Sequence, residues 1–348
     1  MIRIKEMQPE STGALTADQI KATASTIVDQ QTPDGMILWF PNGHSDTWNH
    51  TEAAMALSTA GFVDEAESAY EWLAKTQRVD GSWHHYYLAN EVEDAKVDTN
   101  CCAYIATGVW HHYLTTGDIN FLQEMWPVVK QALDFVVGHQ TASGHIPWAI
   151  HTSGTPWSYS LVTGSSSIYH SLRCGLATAV HLDQEQPEWE FSAVRLSNLL
   201  RNHEEQFEPK KRWAMDWYYP VLTGALTADT ASQRMSSRFE EFTVADHGVR
   251  CVADQPWVTT AETCECAMAY LAIGDEAMAH RLFQSIEPLR DEDGAYFTGM
   301  VFPETITFPD GERSTYSSAA VVLTADALSN NSDASRLLIG EGLPSLDY

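Results

Sequence analysis

Acidic residues stand near the starts of several apolar segments in this 348-residue chain. These residues are Asp46, Glu52, Asp98, Asp216 and Glu262. Two carboxyl groups about 6.5 to 9.5 Å apart across a sugar can catalyse inverting hydrolysis, one as the acid and one as the base that activates water. The pattern therefore predicts carboxylate acid/base chemistry. Asp216 is the first candidate, because a buried carboxylate in its aromatic surroundings is costly unless it is paired.

Aromatic and hydrogen-bonding side chains lie close to the same positions. Sugars need both kinds of group, because their C–H faces pack on rings and their hydroxyls require polar partners. A prenyl chain needs few polar groups, since each unpaired buried polar atom costs roughly 1 to 3 kcal/mol. The mixture therefore favours a polar substrate. The candidate binding residues are Trp48, His50, Trp83, Trp148, Tyr169, His170, Trp213, Trp217, Tyr218, Arg250, Asp254, Trp257 and Tyr316.

The carboxylates also have a structural interpretation. Glu52 and Glu262 each follow an Asn or Thr by three residues, which is the spacing of a capping box at a helix start. Asp46 and Asp98 stand where a simple N-cap is expected. Capping and catalysis therefore both stay open for these four residues.

The histidine and arginine candidates also have both a functional and a structural interpretation. Imidazole titrates near neutral pH, so His50 and His170 are either proton carriers or packed structural histidines. Arg250 lies four residues before Asp254. It either pairs with that carboxylate at the rim of the site or clamps an anionic group of the substrate.

Six segments with a shared pattern must position these side chains. Each opens with polar or aromatic residues and then becomes small and apolar, and the starts are roughly 45 to 70 residues apart, which is the length of two helices. Segments that are apolar on one face only lie between them. The pattern predicts an all-α fold, an (α/α)6 barrel of six helical hairpins. The inner segments are residues 46–57, 97–106, 164–175, 213–222, 259–270 and 314–325.

Parallel inner helices bring all their N-termini to one end of such a ring. Their unpaired N–H groups and positive dipole ends then surround a single cavity. The first helix faces the fourth and the second faces the fifth. We therefore predict that the acidic residues of the first segment oppose Asp216, and that Asp98 opposes Asp254 or Glu262.

A second repeat marks the ends of the outer segments. It is clearest in Trp72, Gln77, Gly81 and Trp83, and degenerate copies follow at residues 27–37 and 135–146. This pattern resembles the aromatic-Leu-x3-Gln-x3-Gly-x-Trp repeat of terpenoid cyclases. The chain thus resembles the α/α toroid superfamily, which includes terpenoid cyclases, six-hairpin glycosidases and a bacterial prenyltransferase-like group. The resemblance implies the toroid fold.

The catalytic motifs of the isoprenoid families are incomplete in this chain. Class II terpenoid cyclases use an Asp-x-Asp-Asp proton donor, of which only Asp98 is present here. Protein prenyltransferases bind zinc through an Asp-x-Cys pair and a later His, and this spacing is not reproduced around Asp254, Cys264 and Cys266. We therefore predict no metal site and no cofactor.

The sequence favours a glycoside hydrolase-like enzyme that acts on a polar, carbohydrate-containing small molecule, with inverting hydrolysis as one form of that chemistry. Glucoamylase-like enzymes place their acid after the third outer helix, where residues 144–164 contain no Asp or Glu. Another arrangement is therefore needed, and Glu304 or Glu312 could supply the base. Two alternatives stay open: a terpenoid cyclase or prenyltransferase-like enzyme on an isoprenoid, and a non-catalytic small-molecule binding module.

Composition restricts the partners. A formal charge of −27 with only 20 Lys and Arg opposes binding to nucleic acid or to anionic membranes, since both require a basic surface. The six cysteines contain no CxxC pair, which argues against structural zinc. We expect a small-molecule substrate, and the oligomeric state stays open.

The chain is expected to be a single domain over residues 1–348, because no Pro/Gly/Ser-rich linker divides it. No segment approaches the roughly 18 apolar residues of a membrane helix. Residues 1–9 lack the apolar stretch of a signal peptide. These features predict a cytoplasmic protein.

Overall fold

The computed structural model describes residues 15–89 and 91–346, and this part of the chain is mostly helical. Residues 1–9, with their predicted lack of a signal peptide, lie outside the described residues. In the described part, no helix has both the length and the apolar character needed to cross a membrane. The helices are α1 (Ala17–Val28), α2 (Thr47–Thr59), α3 (Val63–Thr76), α4 (Thr99–Ala103), α5 (Ile105–Thr116), α6 (Ile119–Gly138), α7 (Val162–His181), α8 (Pro187–Asn202), α9 (Met215–Leu222), α10 (Ala228–Ser237), α11 (Phe239–Phe242), α12 (Thr260–Ala272), α13 (Glu276–Ser285) and α14 (Thr315–Ser329).

Short antiparallel strands connect the helices. Two-stranded pairs form between β1 and β2, β3 and β4, and β5 and β6, while β7, β8 and β9 form a three-stranded sheet. With two to four residues each, these strands are too short to show an alternating pattern in the sequence. They are β1 (Tyr86–Leu88), β2 (Glu91–Asp94), β3 (Val97–Asp98), β4 (Ala149–Ile150), β5 (Thr243–Val244), β6 (Gly248–Val249), β7 (Trp257–Thr259), β8 (Gly299–Val301) and β9 (Ile306–Phe308).

The helices pack in a cyclic order. Helix α2 packs on α5, α5 on α7, α7 on α9, α9 on α12, α12 on α14, and α14 returns to α2. Each of these six helices also contacts a partner: α3, α6, α8, α10 and α13 pair with the helix before them, and α1 pairs with α14. The prediction of a mainly helical fold is confirmed, and all six predicted inner segments contain a helix.

Burial separates the two sets of helices. In α7 almost every residue between Val162 and Ala179 is buried, and α14 is buried in the same way. In α3 and α6, by contrast, buried residues recur on one face only. A helix that is buried all round must be surrounded by other elements, so α7 and α14 belong to the interior and their partners face solvent.

The glutamine–glycine repeat joins neighbouring outer helices. The side-chain amide of Gln77 donates to Gly81 O at 3.0 Å and to Val128 O of α6 at 2.9 Å. The Gln140 amide likewise donates to Gly144 O and to Ser192 O of α8. Gly81 has φ +90°, and a Cβ there would lie 2.2 Å from Gln131 O. The repeat is therefore a packing device, which explains why it reports fold rather than chemistry.

The C-terminal segment, residues 331–346, is fixed by two side chains of α7. The buried guanidinium of Arg173 donates to Pro344 O at 3.0 Å and to a second carbonyl of the segment at 3.2 Å. His170 Nε2 donates to Leu337 O at 2.8 Å. These bonds hold the segment against the interior helix.

Candidate active site

A cavity of about 320 Å³ lies where the interior helices begin. Its wall takes residues from the first two turns of α2, α4, α7, α9, α12 and α14, together with residues of the loops that precede them. This is the arrangement expected when helix N-termini meet at one end. The lining residues are Trp39, Asp46, Trp48, Asn49, Glu52, His85, Tyr86, Asn100, Cys101, Trp148, Leu161, Thr163, Gly164, Met215, Tyr219, Ala261, Glu262, Glu265 and Tyr316.

Several predicted site residues meet in this wall. Asp46, Glu52 and Glu262 supply carboxyl groups, and Trp48, Trp148 and Tyr316 supply rings. Glu304 and Glu312, considered above as a possible base, are not among the lining residues. The catalytic roles of the lining residues remain predictions.

Glu265 also lines the cavity, and the sequence reasoning missed it. It stands three residues after Glu262 on α12, so both side chains project from the same face of that helix. That spacing is the signal that could have found it. Glu265 is buried and accepts a hydrogen bond from the hydroxyl of Tyr218, a predicted substrate-binding residue.

Burial raises the pKa of the glutamates in the cavity wall. It raises the pKa of Glu52 to about 8, against the opposing hydrogen bond from the Tyr104 hydroxyl at 3.0 Å. Burial, followed by the charges of Glu52 and Glu262, raises the pKa of Glu265 well above its usual range. Burial also raises the pKa of Glu262, where a hydrogen bond with Thr259 acts in the opposite direction. The cavity therefore holds protonated carboxyl groups near neutral pH.

Asp46 has a contrasting environment. As the N-cap of α2, its Oδ1 accepts from the backbone N–H groups of Trp48 at 2.8 Å and Asn49 at 3.0 Å. Its Oδ2 accepts from the indole of Trp39 at 2.8 Å and from the Asn49 amide at 2.6 Å. Four donated hydrogen bonds stabilise the negative charge of this carboxylate and fix its orientation. The cavity thus combines a buried carboxylate that accepts four hydrogen bonds with glutamates whose pKa burial raises.

Asp98 lies directly behind the wall. Its Oδ1 accepts from the backbone N–H groups of Asn100 at 2.9 Å and Cys101 at 3.1 Å, so it caps α4. Burial raises the pKa of Asp98, and the nearby His85 opposes that shift. The two capped residues line the cavity although Asp98 does not. In this structure Asp98 therefore positions the wall.

Asp216 lies outside the cavity, which differs from the expectation that it faces the substrate. Its Oδ1 accepts from the hydroxyl of Thr163 at 2.8 Å and its Oδ2 from the backbone N–H of Lys210 at 3.2 Å. Residues Met215 and Tyr219 of α9 line the cavity instead, since successive residues of a helix point in different directions. Asp216 borders a separate surface depression of about 650 Å³.

The two predicted histidines are structural links between backbone segments. His50 accepts from Ile37 N at 3.0 Å and donates to Ala69 O at 2.9 Å. His170 binds the C-terminal segment as described above. Burial lowers the pKa of each imidazole to about 4, so both stay neutral at physiological pH. Neither lines the cavity, because both side chains are enclosed by neighbouring helices.

Three predicted aromatic residues belong to the core. The indole N–H of Trp83 donates to Leu73 O at 2.9 Å, and that of Trp217 donates to Arg234 O at 2.8 Å. Tyr169 is buried beneath the guanidinium of Arg173, 5.5 Å from the ring centroid. These side chains pack between helices and do not line the cavity.

The remaining predicted residues also lie off the wall. Trp213 is 46% exposed. Trp257 belongs to β7 and stacks on Phe308, with the ring centroids 4.4 Å apart. The predicted Arg250–Asp254 pair does not form, because Asp254 accepts from Arg212 Nε at 2.8 and 2.9 Å instead. The guanidinium of Arg250 reaches only the backbone carbonyl of Glu241, at 3.5 Å.

Unpartnered polar atoms point to a hydrogen-bonding ligand. Trp48 Nε1, His85 Nδ1 and Asn100 Oδ1 are buried atoms with no hydrogen-bond partner in the described part of the chain, and all three residues line the cavity. Such groups are costly to leave unpaired, which favours a ligand that carries hydroxyl groups.

One group of possible metal ligands lies in the same region. Within the described residues, the ligand atoms of His85, Asp98 and Cys101 lie within 4.8 Å of one another. Nitrogen, oxygen and sulfur donors of this kind suit zinc. Asp98 already accepts two backbone hydrogen bonds as the cap of α4. We assign the group no cation.

Comparison with known proteins relates this geometry to a family. The chain is 48% identical over 336 residues to the MMP endo-(1,4)-3-O-methyl-alpha-D-mannosidase of Mycolicibacterium hassiacum, covering 97% of this chain and 93% of the relative. The chain belongs to this mannosidase family. It is a glycoside hydrolase-like enzyme that acts on carbohydrate, as the sequence predicted. A scan against protein-family models gives no match.

Solved structures share the fold of this chain. A wild-type glycosidase superposes with a TM-score of 0.72 at 15% identity, covering 90% of this chain and 96% of that one. A sugar epimerase from a ruminal bacterium has a TM-score of 0.69 at 10% identity, with 91% and 99% coverage. The terpenoid cyclase and prenyltransferase-like part of the resemblance stays a prediction.

Proposed function

We propose that this enzyme hydrolyses internal α-(1,4) bonds between 3-O-methylmannose units, the reaction class named for its relative in Mycolicibacterium hassiacum. A cavity of about 320 Å³ falls within the range of pockets that bind small ligands, about 300 to 1,000 Å³. Its rings suit the C–H faces and methyl groups of such a sugar, and the unpartnered atoms of Trp48, His85 and Asn100 suit its hydroxyls.

We further propose that the cyclic helix packing is a complete (α/α)6 barrel and that the chain is one domain. Pairing of α1 with α14 and the return of α14 to α2 support both statements. In such a barrel α2 faces α9 and α5 faces α12, so the helices that carry the carboxyl groups surround one substrate.

The catalytic assignment rests on one observation, the contrasting surroundings of Glu262 and Asp46. Burial raises the pKa of Glu262, while the Asp46 carboxylate is fixed by four hydrogen bonds that it accepts. Two carboxyl groups in environments this different indicate an acid and its anionic partner. Glu262 is accordingly the general acid, and Asp46 orients the attacking water.

The reaction follows from these roles. Glu262 transfers its proton to the glycosidic oxygen as the bond from that oxygen to the anomeric carbon breaks. A water molecule adds to the anomeric carbon from the opposite face and loses a proton to Asp46. The sugar product then has the inverted anomeric configuration. Trp48, Trp148 and Tyr316 hold the sugar rings between these groups.

The test compares Glu262→Gln and Asp46→Asn with Glu292→Gln, a control on the exposed surface. Loss of an acid or base costs about 10² to 10⁴ in turnover. Both site variants should lose activity on an α-(1,4)-linked 3-O-methylmannose oligosaccharide, and the control should not. An aryl glycoside, which needs no protonation to leave, should restore turnover to Glu262→Gln only. Full activity of Glu262→Gln on the oligosaccharide would remove this residue from the mechanism.

The stereochemistry is tested separately. Proton NMR during the first turnovers identifies the anomer that is released. Release of the β anomer from an α-linked substrate supports the roles above. Release of the α anomer would instead require a covalent intermediate on one of the carboxylates.

A further inference from the structure

A cluster of three large rings occupies the loop that leads from α6 to α7. We call Trp148, Trp157 and Tyr159 the loop aromatic cluster. The centroids of Trp148 and Trp157 lie 4.7 Å apart with the rings perpendicular, and those of Trp148 and Tyr159 lie 5.9 Å apart with the rings stacked. The backbone fixes the cluster, because Trp148 N donates to Tyr159 O at 2.9 Å and Trp157 N donates to Ala149 O at 2.8 Å.

The cluster continues outward from the cavity. Trp148 lines the cavity, whereas Trp157 and Tyr159 do not, so contact between the rings leads from the wall toward solvent. Two cations border this path: Lys96 Nζ lies 5.6 Å from the Trp148 ring and Lys210 Nζ lies 5.7 Å from the Tyr159 ring. Their positions add hydrogen-bond donors beside the aromatic surface.

Packing tryptophans of the same protein differ from this cluster. Trp83, Trp189 and Trp217 are buried to within 1% exposure, and each indole N–H has an acceptor within 2.9 Å. Trp157 is half-buried, with His151 stacked on it at 5.1 Å between the centroids, and its buried Nε1 has no acceptor among the described residues. A partly exposed ring with an unused donor is suited to a ligand rather than to the core.

We propose that the loop aromatic cluster is an outer subsite that binds the saccharide unit next to the one in the cavity. The inference rests on the proposed function, since an endo-acting hydrolase must bind sugar units on both sides of the bond that it cleaves. The Trp157 and Tyr159 rings contact the C–H faces of this unit, and Trp157 Nε1 donates to one of its oxygens. The subsite determines chain-length preference and takes no part in the chemical step.

The test measures binding by calorimetry in a Glu262→Gln background, so that the probes stay intact. The probes are methyl 3-O-methyl-α-D-mannoside, which fits the cavity alone, and an α-(1,4)-linked tetrasaccharide of the same sugar. Trp157→Ala should weaken tetrasaccharide binding about three- to tenfold, the size of one aromatic contact, and leave monosaccharide binding unchanged. Tyr159→Ala should act in the same direction. Phe191→Ala, which removes a 61% exposed ring on α8, is the matched control.

The outcomes separate the two proposals. The subsite proposal is overturned if Trp157→Ala weakens binding of both probes equally, or if it leaves tetrasaccharide binding unchanged. Tyr159→Ala repeats the measurement at a second ring of the cluster, and unchanged monosaccharide binding in both variants shows that the cavity stays folded. If neither probe binds to the parent protein, the substrate in the proposed function is wrong. Binding of both probes by the parent with no loss in either variant contradicts the subsite alone.

Discussion

Replacing Glu52 by glutamine is predicted to make the protein more resistant to alkaline pH. Glu52 is 5% exposed and accepts a hydrogen bond from the Tyr104 hydroxyl at 3.0 Å. Burial raises the pKa of Glu52 from 4.5 to about 8; the hydrogen bond opposes this shift and the charge of Asp46 adds to it. Glutamine keeps the carbonyl acceptor for Tyr104 and never acquires a charge.

The magnitude follows from linkage between protonation and folding. Below pH 4.5 the Glu52 carboxyl is protonated in the folded and unfolded chains alike. Between pH 4.5 and about 8 only the folded chain holds the proton, so the unfolded state binds fewer protons and the free energy of unfolding falls as pH rises. At about 1.4 kcal/mol per pH unit, the loss across this window is at most about 5 kcal/mol. The glutamine variant has no such loss at this position.

Urea denaturation of the wild type, Glu52→Gln and the surface control Glu292→Gln at about pH 5 and pH 9 measures this difference. The stability of Glu52→Gln relative to the wild type should rise by several kcal/mol between the two pH values. The control should follow the wild type. A difference between Glu52→Gln and the wild type that is the same at both pH values would refute the assignment of a buried, protonated Glu52.

Three other predictions test the fold and the site. Gly81→Ala should lose about 3 kcal/mol or more of unfolding free energy, because the new Cβ would clash with a backbone oxygen. Gly61→Ala also has positive φ but open space around it, so it should lose only about 1 to 2 kcal/mol. Equal losses of the two variants in chemical denaturation would contradict the clash. Trp39→Phe removes the indole donor to Asp46 and should lower kcat about tenfold at constant KM, and an unchanged kcat would show that this hydrogen bond is dispensable. Arg173→Met should cost about 2 to 3 kcal/mol and speed proteolytic cleavage of the C-terminal segment, and an unchanged cleavage rate would show that these hydrogen bonds do not hold the segment.

The sequence predicted the helical architecture because its signals are local. Small apolar residues recur in every segment that the structure buries between helices, and the one-sided segments are the solvent-facing helices. Convergence of helix starts then brings Asp46, Glu52 and Glu262 to one cavity. Helix periodicity and parallel packing are enough to predict that these carboxyl groups meet at one end of the helices.

The remaining parts of the site depend on rotation and on loops. Asp216 is not among the lining residues, whereas its neighbour Met215 is, because successive residues of α9 point in different directions and the sequence does not fix the rotation of a short helix. The sequence analysis does not single out Glu265, because small and apolar residues such as Cys264 and Cys266 surround it. Trp157 was overlooked because the loop that brings it to Trp148 has no periodic pattern.

The packing of α14 between α12 and α2 has a consequence for synthesis of the protein. Helix α14 supplies Tyr316 to the cavity wall and fills the gap between α12 and α2. Before α14 is in place we expect this gap to be open and water to reach the interior glutamates, so that burial no longer raises their pKa. The unusual acids, and with them the activity, should therefore arise in one step when α14 docks. A chain cut short before α14 would carry both proposed catalytic carboxylates, and we expect it to be inactive.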